Sequence, residues 1–77
     1  RLLNAMWKDN AQYIRYYLSL DTKGFNMSQQ NCYVNLQILM SLFDMTQRYD
    51  ASWSKQHIKE LNSLVQSYQL RGGSFGG

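Results

Sequence analysis

The chain has 77 residues, 44% of them hydrophobic and 17% charged, with no proline and one cysteine. That length holds a single domain with a modest core, and that composition excludes an intrinsically disordered chain. The formal charge of +3 comes from Arg1, Lys8, Arg15, Lys23, Arg48, Lys55, Lys59 and Arg71, dispersed among the acids; this excludes a polycationic segment, and the lone Cys32 excludes an internal disulfide.

A first helix is predicted from Leu2 to Leu20, because Leu3, Met6, Trp7, Asn10, Ile14, Tyr17 and Leu18 recur at three- and four-residue steps. Lys8, Gln12, Arg15 and Ser19 fall on the opposite face. Asn10 lies inside the apolar stripe, either as a buried amide that fixes register or as an amide at the open end of a bundle, touching water. Tyr13 and Tyr16, with Leu2, Ala5 and Leu20, occupy a flank away from the stripe. The segment Asp21 to Gly24 is a stop signal, with Gly24 free to adopt a left-handed conformation. The chain opens at Arg1 without an initiator methionine, which reads as a processed chain or an excised domain.

Asn26 or Ser28 offers an N-cap for a second helix, with Gln29 placed as capping-box partner to Asn26. This helix is expected to run to about Tyr49. The nineteen residues from Phe25 to Phe43 carry no formal charge. Cys32, Tyr33, Val34, Leu36, Ile38, Leu39, Met40, Leu42 and Phe43 sweep most of the helix circumference, leaving Gln37, Ser41, Asp44 and Arg48 as the solvent stripe. A helix apolar nearly all round calls for neighbours on two sides. Its amides and hydroxyls, Asn26, Ser28, Gln29, Gln30, Asn31, Asn35 and Gln37, argue against a membrane span. Cys32 reads as a small buried hydrophobe in a reducing compartment.

The joint Asp50, Ala51, Ser52 is short enough to force an antiparallel return. A third helix then starts near Ser52 or Ser54, with His57, Ile58, Leu61, Leu64, Val65 and Tyr68 inward and Lys55, Lys59, Asn62 and Gln66 outward. It ends at Gly72 and Gly73. Residues 1–71 are thus expected to form an all-α, antiparallel up-down-up three-helix bundle with a buried central helix. Association into a larger helical bundle is a further expectation, and residues 72–77 read as a flexible glycine-rich tail.

Chemical signatures are sparse. His57 is the only histidine, with Glu60 one turn on; with one cysteine and no second histidine the chain offers no chelating set, so neither metal nor cofactor is expected. No glycine-rich phosphate loop, nucleophile elbow or pair of catalytic acids occurs, so the expectation is a binding protein and not an enzyme. Six tyrosines, four methionines and two tryptophans are rich in the residues that anchor protein interfaces. The favoured reading is an intracellular protein–protein interaction module that self-associates or docks a protein partner through Leu2, Tyr13, Tyr16 and Leu20. The alternative is an accessory RNA- or DNA-binding domain using Lys8, Arg15, Lys55, Lys59 and Arg71. In that reading Arg71, Gly72 and Gly73 with Phe75 resemble one unit of the arginine-glycine segments that contact RNA.

Overall fold

The computed structural model describes residues 2–20 and 26–73, for 26–28 the backbone only. Three helices follow in order: α1 (Leu2–Ser19), α2 (Asn26–Thr46) and α3 (Ala51–Leu70). The stop signal at Asp21 to Gly24 and the caps at Asn26 and Ser28 lie outside the described residues or side chains.

Trp7, Ala11, Ile14 and Tyr17 form the inward stripe of α1, and Ser54, Leu61, Leu64 and Tyr68 that of α3. Cys32, Leu36, Leu39 and Leu42 of α2 lie between these stripes and close one continuous core. Three long-range links set α1 and α3 parallel. Asn4 Oδ1 accepts from Trp53 Nε1 at 2.7 Å, Trp7 Nε1 donates to Glu60 at 2.8 Å, and Arg71 donates to the carbonyls of Leu18 and Leu20. The helix between them runs antiparallel to both, giving the up-down-up bundle.

The turn between α2 and α3 is tight. The amides of Tyr49 and Asp50 both return to the Thr46 carbonyl, which ends α2 before Tyr49. The N-cap of α3 is Asp50, whose carboxylate accepts from the Trp53 amide at 3.1 Å, so the helix begins at Ala51, one residue before Ser52. A carboxylate at this position satisfies one of the free N–H groups of the first turn and suits the positive end of the helix dipole. Ser54 is left for the core.

At the other end of α3 the chain closes on itself with two glycine amides, Gly72 N–H to Gln69 O and Gly73 N–H to Tyr68 O, both at 3.0 Å. Gly72 has φ +103°, in the left-handed region, as a helix terminator of this kind requires. Gly73 is buried face-on against the Tyr68 ring, where a Cβ would overlap the ring. The helix end therefore reaches two residues into the stretch read from sequence as tail; residues 74–77 lie outside the described structure.

α2 packs against both α1 and α3, the two neighbours its apolar pattern calls for, but part of its apolar arc stays uncovered. In a bundle of three helices every helix keeps an outward face. On α2 that face includes Val34, Ile38, Met40 and Met45 as well as Gln37, Ser41, Asp44 and Arg48. Met6, placed by periodicity in the inward stripe, is also exposed, and Ala11 takes the core position on α1.

Candidate interaction surface

The face left open joins α1 to α2. Met6 (39% exposed), Val34 (50%), Ile38 (36%) and Met45 (44%) lie on it, and Leu2 (73%) is exposed one turn before Met6 on α1. Met6, Val34, Gln37, Ile38, Ser41, Leu42 and Met45 line a groove of about 460 Å³ that contains no charged side chain. Isolated apolar residues on a surface are ordinary; a contiguous apolar groove with two methionines, whose flexible thioethers fit themselves to a partner, is the kind of feature that marks an interaction site. Met40 stands apart from it, in the α2–α3 cleft with Phe43 and Leu61.

The four residues singled out from sequence for partner binding divide. Leu2 is largely exposed, and Tyr16 is 55% exposed. Tyr13 and Leu20 are half-buried and pack against the core. Tyr13 also touches Tyr16, ring centroids 6.0 Å apart, so one ring props the other outward. The α2 contributors Val34 and Ile38 belong to the near-continuous apolar pattern read from sequence as buried, and Met45 lies beyond it.

Two of the five basic residues of the nucleic-acid alternative are engaged within the fold. Arg15 is paired with Glu60 at 2.5 Å. The Arg71 guanidinium binds the Leu18 and Leu20 carbonyls, its Cζ 5.4 Å from the Tyr17 ring centroid. There it satisfies carbonyls at the negative end of α1. Lys8 is exposed on α1, and Lys55 and Lys59 share the outward face of α3, Lys55 beside Phe43 and Ile58 in the α2–α3 cleft.

The titratable groups serve the fold. His57 stacks on Trp53 (centroids 3.9 Å, 24°) and meets the edge of Trp7 at 4.7 Å. Its Nδ1 lies 2.7 Å from the Trp53 carbonyl, which can only accept, so Nδ1 carries the proton. This places His57 at the bundle seam, as periodicity suggested. Burial alone raises the Glu60 carboxyl pKa, but hydrogen bonds from Arg15 and Trp7 and the charges of Arg15 and His57 outweigh it and hold the group below its ordinary value. Burial pushes the Cys32 thiol up to about 11, consistent with a packing role. Asn10 donates to the Met6 carbonyl at 2.6 Å from a half-buried position, so its amide is satisfied within α1 and holds no inter-helix register.

Among the described residues, no group of three or more His, Cys, Asp or Glu side chains is placed to hold a metal ion, and no helix is long and apolar enough to cross a membrane. No family model, curated protein or solved structure matches this chain.

Proposed function

We propose that this chain is a protein-binding helical module whose docking surface is the α1–α2 face built by Leu2, Met6, Val34, Ile38 and Met45, with Tyr16 on its flank. One observation carries the reading: α2 is apolar over a wider arc than α1 and α3 cover, and the uncovered part forms an uncharged groove. Leaving such side chains in water forgoes about 25 cal/mol for each Å² of apolar area a partner would bury. The role is binding and not catalysis, resting on shape and apolar contact.

Partner capture by the wild type, by Ile38→Asp and by a Lys55→Gln/Lys59→Gln double variant tests the reading, each checked for helicity by circular dichroism. Capture lost in Ile38→Asp and kept in the lysine variant supports it. The reverse pattern, with RNA or DNA binding that falls steeply as salt rises, replaces it with the nucleic-acid reading.

A further inference from the structure

We propose that the occupant of this face is a second copy of the chain, with α2 packed antiparallel on α2 about a twofold axis; this rests on the reading of the face as a protein interface. Of the outward residues of α2 that line the groove, Val34, Ile38, Ser41 and Met45 are spaced four, three and four apart, with Gln37 beside them. Such spacing is the seam of a two-helix packing of coiled-coil type. It also reads the same in both directions, and a twofold contact requires that, because the same patch must be its own complement.

The register follows from the spacing. With the axis between residues 39 and 40, Val34 of one copy meets Met45 of the other, and Ile38 meets Ser41, a large side chain against a small one at the centre. The charges at the edge fall opposite neutral amides, Arg48 against Asn31 and Asp44 near Gln37, and all four residues are exposed. No like charges are brought together. Gln37 can donate to the Asp44 carboxylate and Arg48 to the Asn31 amide oxygen.

The area is also sufficient. Leu2, Met6, Val34, Ile38 and Met45 expose roughly 450 Å², and a standard interface buries roughly 800 Å² on each partner, rather more than half of it apolar. Asn31, Gln37, Ser41, Asp44 and Arg48 supply the polar remainder. A patch of this size with no aromatic anchor at its centre fits a dissociation constant in the micromolar range.

Sedimentation equilibrium over a concentration series up to about 1 mM reads the mass directly. The expected result is a monomer–dimer equilibrium whose dissociation constant rises at least about 100-fold in Ile38→Asp, since a charge would be trapped against the partner helix. Ser41→Asp, at a fully outward position, is the second variant should the first disturb the fold. Disulfide trapping reads the register, and the buried Cys32 with its raised pKa stays silent in the folded chain. Val34→Cys and Met45→Cys should each fail to cross-link alone and should cross-link when mixed. A wild type that stays monomeric at the highest concentration, a dimer that survives both Asp variants, or Val34→Cys cross-linking to itself overturns the proposal. A monomeric chain whose partner capture is still lost in Ile38→Asp would overturn the second copy and leave the interface reading standing.

Discussion

The hydroxyl oxygens of Thr46, the last residue of α2, and Ser54, one turn into α3, lie 2.7 Å apart with both residues buried. Thr46 Oγ1 is also 2.9 Å from the Leu42 carbonyl, so Thr46 can donate along its own helix while Ser54 donates across to it. The pair locks the α2–α3 turn. Thr46→Val should cost about 1–2 kcal/mol, because the Ser54 hydroxyl loses its near acceptor and keeps only the Phe43 carbonyl at 3.4 Å, and Ser54→Ala less, because Thr46 still donates to the Leu42 carbonyl. The double variant should cost less than the sum of the singles, because it leaves neither hydroxyl unpaired. Urea unfolding of the four proteins checks this.

Leu39 is fully buried in the middle of α2, while Val34 on the same helix faces water. Leu39→Ala should lose about 2–5 kcal/mol through lost transfer energy and a cavity, enough to unfold much of a domain this small. Val34→Ala in dilute solution should stay within about 0.5 kcal/mol of wild type. Denaturant melts of both distinguish the covered arc of α2 from the open one.

Glu60 gives the fold an acid dependence. A carboxyl whose folded pKa lies below its ordinary value of 4.5 contributes its stability fully above that value. The contribution is then lost as pH falls through the lower, folded value. The urea midpoint should therefore fall more steeply with acidification in the wild type than in Glu60→Gln, which can still accept from Trp7 but has no charge to lose. Trp7 fluorescence follows the same transition, since its indole N–H is bonded to Glu60.

The two glycines after α3 should respond differently to alanine. Gly72→Ala places a side chain in open space but at a positive φ, costing about 1 kcal/mol. Gly73→Ala drives a methyl into the Tyr68 ring and should cost about 1–3 kcal/mol by overpacking. Thermal melts would show the second effect as the larger; equal and negligible effects would mean that the helix end is not docked on Tyr68.

The number of helices and most of the inward faces of α1 and α3, though not Met6, Ala11 or Ser54, were legible in the sequence, because amphipathic periodicity is local: Trp7, Ile14 and Tyr17, or Leu61, Leu64 and Tyr68, declare a core side wherever the helix is placed. Cys32 and His57 were legible for the same reason. The sequence could not say which arc of α2 is covered, since a helix apolar over most of its circumference accepts several arrangements of neighbours. That choice was made by contacts between residues about fifty positions apart, Trp7 and Arg15 with Glu60, Asn4 with Trp53, and Arg71 with the end of α1, which join α1 to α3. The Thr46–Ser54 pair and the open groove beside Met6 follow from that placement. Local pattern sets what each helix can bury, and only long-range closure decides what stays exposed.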